Sequence, residues 1–388
     1  MNTRTAFAFV ALMGFVSLFA DLTYEGARGI TGPYLAVLGA SALAVGLASG
    51  LGEFAGYALR LVTGFWADRT KLYWTFTFVG YAVNLLAVPA LALTGSWPWA
   101  VTLVVAERLG KAIRTPARDA LLAQATAQIG HGKGFGFHEL LDQIGAVAGP
   151  LAMAWVLARG LGFRLAFLLL GIPAVAALAL LAVARLTRPS LQDDQKPRQA
   201  GERKGFSRSF PWLVAAMALQ VAGFAHFQLV AFHAQKEAIV ATAAIPLLFA
   251  LAMLVDGVVA LPVGLLFDRR GLATLAVGAL AAIPVTALAF SRAPWAVALG
   301  VGLWGAVMGM QETVFKAAIA ESVRPENRAS AFGIFHAAYG TAWLLGSLIF
   351  GFLYNLGYPA LVLYSCAMEL LGVVALARTL GMGRSNDV

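Results

Sequence analysis

Long apolar stretches alternate along this chain with short polar breaks. The apolar stretches cover residues 6–33, 40–66, 73–93, 97–116, 135–158, 162–185, 211–235, 239–267, 272–291, 294–320, 328–354 and 358–379. Read as helices rising 1.5 Å per residue, each is long enough to cross about 30 Å of hydrocarbon. There are twelve, six in each half of the chain. Residues 187–209 contain Pro189, Pro197, two aspartates and a run of basic residues, and show no apolar period. They read as a linker, or as a regulatory tail, separating a first domain (1–186) from a second (210–388). The first stretch is followed at once by another, not by a cleavage site and a polar domain, so it reads as a retained span rather than a signal peptide.

Composition agrees with the pattern: 60% of the 388 residues are hydrophobic and 12% are charged, far more apolar than a soluble enzyme. The net charge of +9 could indicate a nucleic-acid partner, but the basic residues follow the breaks between spans. With both termini cytoplasmic, nineteen Lys and Arg fall on the cytoplasmic side, among them Arg4, Arg69, Lys71, Arg269 and Arg270. Only five, Arg28, Arg159, Arg164, Lys236 and Arg292, fall on the other. That asymmetry is what membrane orientation requires, and it removes the need for nucleic acid. The single cysteine, Cys366, cannot form an internal disulfide, and no Cys/His group has the spacing of a metal centre, so neither metal nor cofactor is expected.

Two polar turns are alike. Gly64-Phe-Trp-Ala-Asp68-Arg69 recurs as Gly264-Leu-Leu-Phe-Asp268-Arg269, and each follows a span carrying one acid, Glu53 in the first and Asp256 in the second. The glycine lets two helices approach, the aspartate can face a helix N-terminus and the arginine stays at the membrane surface. Phe135-Gly136 with Gly149 likewise recurs as Phe332-Gly333 with Gly346, 197 residues on, so the chain is duplicated over essentially its whole length.

The Gly-x-x-x-Asp-Arg turn resembles the signature loop between the second and third helices of major facilitator superfamily transporters. That resemblance implies an all-α membrane protein of twelve transmembrane helices, in two pseudo-symmetric six-helix bundles that work by alternating access. The first copy departs from the family pattern at Lys71 and Leu72, where Gly and Arg are expected, and the second at Leu272. Gly145-Ala-Val-Ala-Gly149-Pro150 is similar to a motif that the superfamily associates with antiporters, although Leu151 and Ala152 replace its usual glycine pair; a plain packing role is the alternative. Arg108 resembles an arginine that drug–proton antiporters of the family use in proton handling. The resemblance makes Gly64, Asp68, Arg69, Gly145, Gly149, Pro150, Gly264, Asp268 and Arg269 conformational rather than substrate-binding residues.

An ionisable side chain at membrane depth costs several kcal/mol, so its position is informative. Asp21, Glu25 and Arg28 form a stripe on the first span, and Glu53 and Arg60 share a face of the second. Glu107, Lys111, Arg114 and Arg118 line the fourth at i, i+4, i+7 and i+11 beside Arg108. His138, Asp142, Gly145 and Gly149 repeat that spacing on the fifth. Four spans of the first half thus each present charge on one side, as the wall of a shared aqueous cavity would. Ion pairs that merely hold helices together are the alternative for Glu53 and Glu107, interfacial anchoring for Arg114 and Arg118, and a loop-proximal histidine without a role for His138. The second half offers His226, Asp256, Gln311, His336, Tyr339 and Trp343. Glu369, on the last span, has no reading.

A carrier that exchanges protons needs a buried carboxylate with a cation beside it. Glu53 and Asp142 are the first candidates, with Glu107 and Arg108 beside them. The remaining charged and polar residues, Asp21, Glu25, Arg60, Arg114, His138, His226, Asp256, Gln311, His336, Tyr339 and Trp343, are cavity candidates. The chain therefore reads as a proton-coupled exporter of small organic or amphipathic molecules, acting as a monomer in a bacterial inner membrane. Its partners are the substrate, protons and the lipid bilayer. The alternative is an uptake symporter or uniporter in which the arginines bind an anionic metabolite. A non-transporting sensor is a third reading. Enzymatic activity is not expected, because no P-loop, nucleophile elbow or metal motif is present.

Overall fold

The structure is a computed structural model that describes residues 3–126, 131–187, 208–322 and 328–384. The linker expected at 187–209 lies almost wholly outside those residues. Helix follows helix along the chain: α1 Thr3–Val37, α2 Ala42–Thr70, α3 Tyr73–Ala90, α4 Trp97–Thr126 and α5 His131–Ala158, then α6 Gly162–Leu169 with α7 Gly171–Thr187. The second half repeats the series as α8 Phe210–Ala222 with α9 Phe227–Lys236, α10 Ile245–Arg270, α11 Thr274–Ala289, α12 Pro294–Ser322, α13 Arg328–Leu353 and α14 Tyr358–Arg384. With α6–α7 and α8–α9 each taken as one interrupted rod, the rods follow the expected spans in number and order, although α4 runs on to Thr126, ten residues past the expected end at 116.

Among the described residues, 11 helical stretches are long and apolar enough to cross a membrane. The rod outside that set is α4, which at 30 residues has the length but carries Glu107, Arg108, Lys111, Arg114, Arg118 and Asp119. Such a helix is compatible with hydrocarbon surroundings only if protein groups, not lipid, meet its charges.

The chain forms two compact units, one of Met1–Ala40, Leu51–Gln195 and Ala241–Ala250, the other of Ser41–Gly50, Lys196–Val240 and Leu251–Val388. Residues 41–50 of the second apolar stretch thus group with the second unit, and residues 241–250 with the first. In the first unit, glycines bring α5 onto α1. A Cβ at Gly149 would run into the Leu22 carbonyl and come within 2.8 Å of Gly26 N. Gly80 and Gly110 do the same for α3 against α4, where a Cβ on Gly110 would lie 2.7 Å from the Asn84 Cα. The second unit repeats the device: a Cβ on Gly346 of α13 would lie 2.6 Å from the Ala222 carbonyl of α8. Of the Gly145/Gly149 pair, the Gly149 contact thus recurs at its equivalent Gly346, whereas the position equivalent to Gly145 is Ala342.

The two signature turns also match in backbone. Lys71 has φ 57° and Gly271 has φ 55°, the left-handed conformation that closes the turn. Glycine enters it freely and lysine at a cost of about 1–2 kcal/mol. The first copy has thus lost its glycine and kept its shape. Gly64 faces Pro116 of α4 and Gly264 faces Thr313 of α12, Cβ distances of 3.4 and 3.6 Å that make both helix contacts equivalent. The side chains of Asp68 and Asp268 lie outside the described set; Arg69 and Arg269 are exposed.

Candidate functional site

The charged stripes of the first unit converge. Glycine-mediated approach of α5 to α1 and of α3 to α4 places long polar side chains of four helices within reach of one another. Glu53 of α2 lies between two guanidinium groups, 3.6 Å from Arg28 Nη2 and 3.5 Å from Arg108 Nη1. Arg28 also reaches Glu25 Oε2 at 3.1 Å, and Lys111 Nζ is 3.9 Å from Glu25 Oε1. Arg108 Nε lies 3.3 Å from Glu107 Oε2, while Asn84 of α3 donates to Glu107 Oε1 at 2.7 Å and to its carbonyl at 3.0 Å. Arg60, expected beside Glu53, stands over the Tyr57 ring at 5.1 Å. Arg28, which the charge count put on the outer side, belongs to this network.

A second group adjoins it. His138 Nε2 is 2.9 Å from Ser17 Oγ of α1, and its Nδ1 is 3.7 Å from Asp142 Oδ2. Ser17 also contacts the Tyr81 hydroxyl at 3.4 Å and accepts from Arg118 Nη1 at 3.4 Å. Arg118 pairs with Asp119 at 2.8 Å. Asp142 is faced by Ser17 and Asp21 of α1 and by Lys111, Arg114 and Arg118 of α4, and its Oδ1 has no hydrogen-bond partner among the described residues. Asp21 accepts a hydrogen bond from the Tyr24 hydroxyl. His138 is buried and bonded rather than loop-proximal.

Arg114 differs from every other cation of the cluster. It is 1% exposed, so it is no interfacial anchor. Its guanidinium stacks over Tyr81 at 4.2 Å and stands 5.7 Å from the Tyr24 ring centroid. Among the described residues, none of Nε, Nη1 and Nη2 has a hydrogen-bond partner, and no carboxylate comes within ion-pair distance. The aromatic faces attract the cation but leave its in-plane donors unmet.

The second unit holds the other candidates in a mainly aromatic group. The His226 ring is 4.6 Å from Trp343, which meets Tyr339 edge-on at 6.2 Å; Tyr339 packs on Phe335 and Phe315, and Phe335 on His336. Asp256 is buried where α10 meets Gly309 of α12. Gln311 is 2% exposed, and both side-chain polar atoms lack partners among the described residues. No charge network comparable to that of the first unit joins these residues among those described.

Sequence reading missed Ser17, Tyr24, Tyr81 and Asn84. Tyr81 and Asn84, three residues apart in an otherwise apolar span and close to Gly80, carried a usable signal; Ser17 and Tyr24 carried none beyond sharing a face with Asp21.

A family model described as the Major Facilitator Superfamily matches residues 5–311 and 235–385. The chain belongs to this superfamily. It is an integral membrane protein and a secondary transporter. It is 41% identical over 381 residues to an uncharacterized protein of Mycobacterium tuberculosis, covering 95% of this chain and 92% of the relative. An uncharacterized MFS-type transporter of Methanocaldococcus jannaschii is 24% identical over 378 residues, 95% of this chain and 94% of that one. Among solved structures, the peptide transporter POT superposes with a TM-score of 0.78 at 15% identity, over 99% of both chains. The nucleoside transporter NupG superposes at 0.74 and 13% identity, over 96% of this chain and 99% of that one. At those identities the likeness is one of fold.

Proposed function

We propose that this protein is a proton-coupled carrier in which Asp142 takes the coupling proton and Arg114 receives an anionic group of the solute. Arg114 carries the reading, as a buried guanidinium between two tyrosines with no hydrogen-bond partner among the described residues. A buried charge without a partner is expensive, and a ligand carboxylate or phosphate would satisfy it in the bidentate geometry that guanidinium favours. Ionised Asp142 offsets Arg114 electrostatically. A proton on Asp142 removes that offset, so proton and solute anion load together, which is cotransport. Glu53 and Glu107, each in contact with Arg108, then act as fixed counter-ions that hold α1, α2 and α4 together.

Export by proton exchange is the second reading, favoured by the Gly145, Gly149 and Pro150 motif on α5, whose glycines pack against α1. In that scheme a cationic or amphipathic solute displaces the proton from Asp142. In either case the basic-residue asymmetry supports cytoplasmic termini. A thermal-shift screen of the purified protein separates the two schemes, since a ligand of the folded state raises its stability. Carboxylate- and phosphate-bearing solutes should stabilise it more at pH 5.5 than at pH 7.5, and Arg114→Gln should abolish the response. Stabilisation chiefly by cationic amphiphiles at the higher pH, unchanged in Arg114→Gln, would establish exchange instead.

A further inference from the structure

Glu369 of α14 lies outside the charge cluster and is 0% exposed, and neither carboxylate oxygen is hydrogen-bonded among the described residues. Its surroundings follow from its neighbours on the helix. Ser365, Glu369 and Gly372 stand at i, i+4 and i+7 and share one face. Ser365 Oγ donates to the Gly223 carbonyl at 2.7 Å, and a Cβ on Gly223 would lie 3.4 Å from Glu369 N. At the other end of the stripe, a Cβ on Gly372 would lie 3.0 Å from Gln220 Cγ. Glu369 is therefore held against α8 between Gln220 and Gly223, where the helix stops and residues 223–226 leave helical geometry before α9 begins. Gln220 is 1% exposed, and both polar atoms of its carboxamide also lack partners among the described residues.

The place thus gathers a buried carboxylate, an amide oxygen without a partner among the described residues and the carbonyl end of an interrupted helix, the negative end of its dipole. All are oxygen donors. No Lys, Arg or His forms an ion pair with Glu369 among the described residues. Interrupted helices in transporters coordinate sodium through just such groups. One carboxylate balances one charge, and no group of three His, Cys, Asp or Glu exists among the described residues to hold a divalent metal. We infer that Glu369, Gln220 and the carbonyl end of α8 form a binding site for one dehydrated alkali cation, Na⁺ by preference, lying within the second unit and apart from Asp142 and Arg114.

The test is unfolding of the purified protein in NaCl against choline chloride at equal ionic strength, with direct ²²Na⁺ binding. The midpoint should rise and saturate with Na⁺ alone, with about one Na⁺ bound per chain. Glu369→Gln should abolish both responses, Gln220→Leu should weaken binding about tenfold or more, and Asp142→Asn should leave both intact. Should Glu369→Gln fail to fold, Gln220→Leu and Glu369→Asp carry the same comparison. Equal midpoints in sodium and choline, or a sodium response that survives at Glu369→Gln, overturns the assignment and leaves a proton as the occupant. Asp142→Asn and Arg114→Gln act on the first site alone, so failure here does not touch the proposed function, nor its failure this site.

Discussion

Replacing Arg114 with methionine should stabilise the solute-free protein, which is the reverse of what removing a buried charge usually does. The wild-type guanidinium is 1% exposed and has no hydrogen-bond partner at any nitrogen among the described residues. Its burial without a direct ion-pair partner among the described residues costs several kcal/mol after relaxation, of which Asp142 offsets only part from beyond ion-pair distance. Against this stand two cation–aromatic contacts: Tyr81 at 4.2 Å, worth about 2 kcal/mol when desolvated, and Tyr24 at 5.7 Å, near the limit of the interaction. Methionine fills much of the same volume and keeps contact with both rings. The difference should raise stability by about 1 kcal/mol or more, because a guanidinium that no carboxylate contacts leaves no ion pair to break. Arg108→Met is the control: Arg108 contacts Glu53 at 3.5 Å and Glu107 at 3.3 Å, and stripping two carboxylates of a partner should cost about 3–5 kcal/mol. Thermal unfolding of both variants in detergent, without added solute, reads the two signs. If Arg114→Met destabilises as much as Arg108→Met, Arg114 already has its partner in the empty protein and is not kept for a ligand.

Gly149→Ala should destabilise by about 1–3 kcal/mol, because its methyl group would meet backbone of α1 at Leu22 and Gly26; unfolding in detergent reads it, with Gly95→Ala, which faces open space, as control. Lys71→Gly should stabilise by up to about 1 kcal/mol by relieving the left-handed lysine, whereas Gly271→Ala should destabilise by a similar amount in the same measurement. Asp142→Asn should abolish accumulation driven by a proton gradient in proteoliposomes while sparing gradient-independent exchange; wild-type accumulation by the variant would remove Asp142 from coupling. Reporters active on one side of the membrane, attached at positions 95 and 200, should give opposite signals, and equal signals would end the proposed topology.

The rods, their order and the duplication were legible because each depends on local information: an apolar stretch of sufficient length forms a helix in a membrane whatever its neighbours do. Even the departure at Lys71 was visible, though not that the turn would keep its backbone shape. The four charged stripes were legible as stripes, since helical period alone decides which residues share a face.

What a stripe meets was not legible. Glu53 was matched to Arg60 on its own helix, yet the structure sets it between Arg28 and Arg108 on two others. Arg114 and Arg118 looked alike at i and i+4, but one pairs with Asp119 and the other stacks on tyrosines without a carboxylate. Glu369 had no reading until Ser365 and Gly372 showed which helix its face touches. Pairing between helices depends on their rotation and separation, which here are set by backbone contacts at Gly26, Gly80, Gly110 and Gly149. A shift of one or two ångströms in such a contact moves a guanidinium from one carboxylate to another. The sequence by itself therefore determined which residues could carry charge into the membrane, and only the tertiary packing decided which of those charges are satisfied and which are left for something else to meet.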